Sequence, residues 1–274
     1  MNRSLAVNRL LAQRITTYED DLDDHFLLAT ALRPDVQAML VRVGVGNEKA
    51  YIGREGWLFY EADVKSITGP AFLDPGQLQR RARAGGGFPE PVQPDPRKAI
   101  LHFRDQLAAR GIELIVMTTP VKPSIHPGKL SSRASTAMAP LRNRSFDALM
   151  TELTQAGVRV FDPAKAMLDR EGAQYLATDT HWTPQAMQAV AAELAAIIGP
   201  RGASVSYGAE PATITQLGDV GTMLKLPDDQ NVIAPDTAEL SRVLRDDGSL
   251  WQPVSGAEVL LLGDSFTNIY SLGG

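Results

Sequence analysis

Apolar residues along this chain recur at two different spacings, and the changes between them mark out its elements. Between residues 5 and 40 they fall at Leu5, Leu10, Leu11 and Ile15, then at Phe26, Leu27 and Ala31, which predicts a helical segment with an acidic break at Glu19 to Asp24. NEKAYIGREGWLFYEADV sets Tyr51, Ile52, Trp57, Leu58, Phe59 and Tyr60 around Gly53 and Gly56, the pattern of a short hairpin. Trp57 reads there as core packing. The stretch RRARAGGGFPEPVQPDP, within residues 74–97, is rich in Gly and Pro and predicts a surface loop carrying Arg80, Arg81 and Arg83.

From Pro96 onward helical and strand patterns alternate. DPRKAILHFRDQLAARG predicts a helix with Ile100, Phe103, Leu107 and Ala108 inward and Gly111 closing it. IELIVMTTP predicts a strand, PLRNRSFDALMTELTQAG a helix and VRVFDP a second strand. TPQAMQAVAAELAAIIGP predicts a helix that Thr183 caps, Pro184 begins and Gly199-Pro200 ends, with Met187, Val190, Ala191, Leu194, Ile197 and Ile198 on its inner stripe. Residues 204–250 read as irregular, and Glu258 to Leu262 as a last buried strand. Strands alternating with helices of this length predict an α/β fold with a mainly parallel sheet covered on both faces. Ligands bind such sheets at the carboxyl ends of the strands. Gly263-Asp264-Ser265, just past Leu262, is thereby expected on the edge where active sites form.

Composition narrows the function classes. Of 274 residues, 44% are hydrophobic and 22% charged, as in an ordinary globular protein. The formal charge is −5 with no long basic run, which argues against nucleic acid as a partner. There is no cysteine, so disulfides, thiol catalysis and thiolate metal sites are excluded. No run of about 18 apolar residues is present to span a bilayer, and the first residues lack the apolar core of a secretory signal.

The chemistry concentrates in two motifs. A serine hydroxyl needs a neighbouring base to become a nucleophile. Of the four histidines, His25 and His102 read as surface residues, and His126 follows the Ile115–Met117 strand near the same edge. His181, in YLATDTHWTPQAM, stands just before a well-capped helix and two residues beyond Asp179. Given a local turn, Asp179 could hold Nδ1–H of His181 and leave Nε2 free to take a proton from Ser265, the division of labour of a Ser-His-Asp system. On the residues alone, Asp179 and Thr180 could equally shape a loop around a surface histidine. Metal binding by Asp179, His181 and Asp264 is the competing chemistry, with His126 as the one further histidine within range of a zinc set.

GDSF after an apolar run, DTHWTPQA before a helix and YIGREGWLFY near the amino end together resemble the alginate O-acetyltransferase family, the AlgJ and AlgX type of SGNH-hydrolase-like proteins. GDVGTMLKLP and MTTPVKPSIHP are similar to segments of that family, so the resemblance runs from about Asn47 to the end. It implies a three-layer SGNH-hydrolase-like α/β fold with a circularly permuted motif order, Asp179 and His181 before Ser265. It divides the chain into a helical segment, 1–46, and an acetyltransferase domain, 47–274. It implies no cofactor and no metal, with Ser265 as nucleophile, His181 as general base and Asp179 as its orienter, passing acetyl through an acetyl-serine to hydroxyls of an alginate-like exopolysaccharide. A membrane-bound O-acyltransferase would supply acetyl, and the setting would be the periplasm, with inner-membrane association through a segment absent from this chain. Acetyl-ester hydrolysis and a non-catalytic polysaccharide-binding scaffold remain the alternatives. SGNH hydrolases place further active-site elements on strands after the serine, and only Phe266 to Gly274 follow here, so a chain cut short at its carboxyl end is the expectation.

Overall fold

The computed structural model describes residues 27–84, 92–134, 139–201 and 206–270, and side chains from residue 32 onward. The predicted amino-terminal helix lies outside the described residues as far as residue 26, as does His25; the remainder forms α1, Leu27–Arg42. The hairpin forms as β1, Ala50–Ile52, antiparallel to β2, Leu58–Tyr60, in the register Ala50↔Tyr60. Its turn needs left-handed backbone at Glu55 and Gly56, where φ is 57° and 80°. Successive side chains of β2 point to opposite faces. Leu58 enters a cluster with Val41, Ala50, Val220, Leu224 and Ile233, while Phe59 enters the larger one with Trp57, Ile125, Phe161, Met167, Tyr175 and Trp182.

Two helices follow, α2 (Glu61–Thr68) and α3 (Pro75–Ala84). The second corrects the loop expected over 74–97. RRARA is helical, because the Gly and Pro punctuation begins only after it. Next comes α4, Pro96–Ala108, capped by Asp95, whose side chain accepts from Arg97 N–H and pairs with its guanidinium at 2.8 Å. Strand β3, Ile115–Met117, leads into two single-turn helices, α5 (Lys122–Ile125) and α6 (Pro127–Leu130), then α7 (Phe146–Gln155) and β4 (Arg159–Phe161). β3 and β4 pair in parallel, Ile115 opposite Arg159. After α8, Ala164–Asp169, comes α9, Pro184–Ile198, whose cap Thr183 accepts from Ala186 N–H and whose end is Gly199 at φ 77°. Val190, Met187, Leu194 and Ile197 face the larger cluster as expected, with Ala186 buried in place of Ala191.

The sheet differs from expectation. Among the described residues strands pair only as β1–β2, β3–β4 and an antiparallel ribbon of β5 (Gly208–Gln216) with β6 (Asp236–Leu244), and only β3–β4 is parallel. The ribbon occupies the region read as irregular; between its strands lies α10, Asp219–Met223. The expected final strand is also corrected. Val259, Leu260, Leu261 and Leu262 are 46%, 80%, 57% and 67% exposed and pair with no strand. Apolar sequence alone does not make a strand; without a neighbour to supply ladder hydrogen bonds the segment stays irregular.

Candidate active site

Residues 174–183 close on themselves. Leu176 N–H donates to His181 O at 3.1 Å, Thr183 N–H to Gln174 O at 2.9 Å, and Tyr175 bridges Trp182. Between these ties runs the tight loop Ala177–Thr180, which two acidic residues grip from outside. Asp236, at the start of β6, accepts from Ala177 N–H (2.8 Å), Thr178 N–H (2.7 Å) and the Thr178 hydroxyl (2.6 Å). Asp219, at the start of α10, accepts from Thr180 N–H (2.7 Å) and the Thr180 hydroxyl (2.6 Å). Gly218 passes so close that an added Cβ would lie 2.5 Å from the Thr178 carbonyl and from Asp179 Cβ.

This held loop supplies the turn that Asp-x-His requires. Asp179 Oδ1 accepts from His181 N–H at 2.9 Å and from Nδ1 at 2.5 Å, and Oδ2 accepts from Asp219 N–H at 3.0 Å. Both side chains are buried. With its proton on Nδ1 toward the carboxylate, His181 presents Nε2 to Ser265 Oγ, 2.7 Å away. The structure therefore brings Asp179, His181 and Ser265 into one hydrogen-bonded line.

Ser265 reaches this position without a strand behind it. It opens a single 3-10 turn, Ser265–Thr267, which Asp264 caps by accepting from Phe266 N–H at 3.0 Å. Phe266 lays its ring 4.7 Å from that of His181 and meets Trp182 edge-on at 5.4 Å. The Tyr270 hydroxyl donates to Trp182 O at 2.6 Å. Phe266, Ile269 and Tyr270 join the larger cluster, so apolar burial docks the segment that carries the exposed Ser265.

Electrostatics tune the pair. Burial works to lower the His181 pKa, but the hydrogen bond and charge of Asp179, with the charges of Asp219 and Asp264, raise it above its ordinary value. Burial works to raise Asp179, and the hydrogen bonds from His181 and from the Asp219 and His181 amides bring it below the ordinary carboxylate range. Metal-ligating atoms converge at Asp179, His181 and Asp219, within 4.8 Å of one another, and Asp264 is not in that group. The carboxylate oxygens of this group already accept hydrogen bonds from Thr180, His181, Asp219 and Val220. His126 stands apart: its Nε2 accepts from Gln174 N–H at 2.9 Å and its ring packs 4.7 Å from Trp57. Burial, with the charges of Lys122 and Lys129, holds its pKa down at about 4. His102 is exposed on α4. Sequence reasoning missed Asp219 and Asp236, although Asp219 lies in the segment GDVGTMLKLP.

Residues 50–273 match the sequence family described as "SGNH hydrolase-like domain, acetyltransferase AlgX". The chain belongs to this family. The "Probable alginate O-acetylase AlgJ" of Azotobacter vinelandii is 25% identical over 161 residues, covering 58% of this chain and 36% of that protein. The protein of the same name from Pseudomonas syringae pv. tomato is 24% identical over 221 residues, covering 77% of this chain and 49% of its own length. The chain thus spans between 36% and 49% of the length of these two relatives. The solved "O-Acetyltransferase Domain of Pseudomonas putida AlgJ" superposes with a TM-score of 0.50 at 22% identity, over 72% of this chain and 66% of that one. That likeness concerns the fold, an SGNH hydrolase-like α/β arrangement.

Proposed function

We propose that this chain is an O-acetyltransferase that passes acetyl through an acetyl-Ser265 to hydroxyl groups of an alginate-like exopolysaccharide. The observation that carries the reading is the hydrogen-bonded line from Asp179 through His181 to Ser265 Oγ, at 2.5 and 2.7 Å. Membership of an acetyltransferase family and relatives named for alginate acetylation support the substrate class. Residues 47–274 are the transferase domain, and residues 1–46 a separate lead, of which Leu27–Arg42 is helical.

In the first half-reaction Ser265 Oγ attacks the carbonyl carbon of a bound acetyl donor while its proton moves to His181 Nε2. Collapse of the tetrahedral adduct breaks the bond from acetyl to the donor, whose leaving oxygen takes that proton. In the second, a sugar hydroxyl attacks the acetyl-serine, its proton passes to Nε2, and then to Ser265 Oγ as the ester bond breaks. Asp179 keeps the imidazole in the tautomer with its proton on Nδ1 and stabilises the imidazolium formed in each half. The donor is an activated acetyl group supplied by a membrane-bound O-acyltransferase, and the setting is the periplasm. Among the described residues no helix is long and apolar enough to cross a membrane.

Ser265 is exposed, which favours hydrolysis as the second reading, since water reaches an open acyl-enzyme. Incubation with an acetyl ester, with and without alginate oligosaccharide, separates the two. Acetylated sugar formed at the expense of acetate supports transfer, and acetate unaffected by sugar supports hydrolysis. Polymer acetylation at the native level in cells that carry only a Ser265→Ala chain would sink both and leave a non-catalytic scaffold.

A further inference from the structure

Lys122 is fully buried at the start of α5, yet none of the chemistry above uses it. Its Nζ donates to Leu58 O at 2.6 Å, Ala177 O at 2.8 Å and Asp179 O at 2.9 Å. An ammonium has three N–H donors, and all are spent on backbone carbonyls. Its charge also lies 5.1 Å from the centre of the Trp57 ring and 5.2 Å from that of Phe59. Burying an ammonium costs several kcal/mol unless it is fully solvated by the protein, and an apolar side chain of similar length would fill the space at lower cost. What an apolar side chain could not do is hold three carbonyls at one point.

Those carbonyls belong to two pieces of structure that must stay in register. Leu58 is the first residue of β2, whose N–H donates to Ala177 O at 2.8 Å. Ala177 and Asp179 flank Thr178 at the bend of the loop described above. With both of their carbonyls turned to one ammonium, the backbone torsions on either side of Thr178 are set, and with them the direction in which the Asp179 carboxylate leaves the chain. Asp236 and Asp219 grip the same loop from its N–H side. On the carbonyl side Leu58 N–H holds Ala177 O (2.8 Å) and Gly221 N–H holds Thr178 O (2.9 Å), and Lys122 ties Ala177 O to Asp179 O across the bend. The Asp179 carboxylate, at 2.5 Å from Nδ1, is the nearer acceptor at the ring of His181, with the Thr180 hydroxyl at 3.3 Å, and Nε2 meets Ser265 on the other side.

We propose that Lys122 is a positioning residue of the acyl-transfer site: its buried ammonium fixes the Ala177–Asp179 bend against β2 and so aims Asp179 at His181. The inference rests on the reading of Ser265 as the nucleophile. A neutral amine has only two N–H donors, so loss of the proton releases one of the three carbonyls. Burial opposes the charge and brings the Lys122 pKa down to about 7, against the pull of Asp236, Asp179, Asp219 and Asp63. Those four carboxylates, on β6, the 174–183 loop, α10 and α2, and His126 beyond α5, are the titratable groups that act on it or feel its charge.

The test uses the full chain and a small serine reagent, phenylmethanesulfonyl fluoride, with the adduct on Ser265 followed by intact mass across the pH range. In protein labelled with lysine carrying nitrogen-15 at Nζ, the Lys122 resonance reports its own protonation. The expected result is a bell-shaped profile: the sulfonylation rate climbs as His181 loses its proton, and its falling limb shares one midpoint with the loss of the Lys122 proton. A rate that falls while Lys122 is still an ammonium, or holds level through its deprotonation, overturns the proposal. Lys122→Met is the second arm. Where it folds by circular dichroism, labelling is expected to slow by about tenfold to a hundredfold, the scale of a displacement near 1 Å at a reacting centre. A folded Lys122→Met chain labelled at the native rate also overturns it. Where that variant does not fold, the shared midpoint decides. Failure of the native chain to be labelled at Ser265 would instead remove the nucleophile reading, and this proposal with it.

Discussion

His181 accepts a proton from Ser265 only while the Nε2 lone pair is free, so on the proposed roles this ring sets the acid limb of the reaction. Burial opposes its charge, but Asp179, Asp219 and Asp264 raise its pKa above the ordinary value. Activity should therefore rise with pH through a midpoint above about 6.5, and kcat/KM measured from pH 5 to 8 with an acetyl ester checks it. A midpoint below that value would mean that His181 is not the base. Asp179→Asn replaces an acceptor that holds Nδ1–H with a side chain that can also donate, which favours the wrong tautomer. The expected loss in kcat is on the order of 10³–10⁴, with little change in fold. At this scale much was legible in the sequence: a carboxylate two residues before a histidine, and a serine in Gly-Asp-Ser, are chemical signals of their own. Lys122 was not. Between Val121 and Pro123 it has no neighbour in sequence that marks it, and only the carbonyls gathered by folding give it a role.

Elements arrange these residues by approaching one another closely at a few points. The start of α10 is one of them: Gly218 N–H donates to the Thr178 hydroxyl at 2.9 Å and Asp219 N–H to Asp179 Oδ2 at 3.0 Å. The added methyl of Gly218→Ala would meet backbone at 2.5 Å, which cannot swing aside as a long side chain can. The change should destabilise the chain by roughly 1–3 kcal/mol and slow Ser265 labelling beyond what the fraction folded explains. Thermal unfolding with labelling well below the midpoint separates the two effects; equal labelling per folded molecule would show that α10 does not position Asp179. Element by element, helices with strong caps were legible, since Asp95-Pro96 and Thr183-Pro184 satisfy first-turn N–H groups through local sequence. The β5–β6 ribbon was not, because nearly all of β5 is exposed and its polar threonines leave little apolar alternation to read. The run Val259–Leu262 misled for the opposite reason: it has the composition of a strand, but strand formation depends on a partner that composition does not encode.

Across the whole molecule, β2 divides the two apolar clusters, and two basic side chains packed beside it, His126 and Lys122, make stability depend on pH. His126 is packed on Trp57, and its Nε2 accepts the Gln174 amide proton, so the fold needs it neutral. Its pKa is about 4 in the folded chain and near the ordinary 6.5 when unfolded. Between those values the unfolded chain binds more protons, and stability must fall as pH falls. The contribution is fully present above about 6.5, and its loss reaches at most about 3 kcal/mol once the pH passes below the folded value. Lys122 acts with the same sign at higher pH: the folded chain gives up its proton near 7 and the unfolded chain near 10.5, so stability rises over that interval. If Lys122 also aims Asp179, activity falls as the pH passes about 7, at the foot of the interval over which stability rises, whereas a lysine serving only to pack would add no such fall. His126→Gln isolates the acid branch, because its side-chain oxygen can accept from Gln174 N–H without taking up a proton. Urea unfolding at pH 4, 5.5 and 7 should show the native chain losing stability toward acid, with a shallower decline in His126→Gln. Parallel curves for the two proteins would assign the acid dependence to the carboxylates around Asp179 instead.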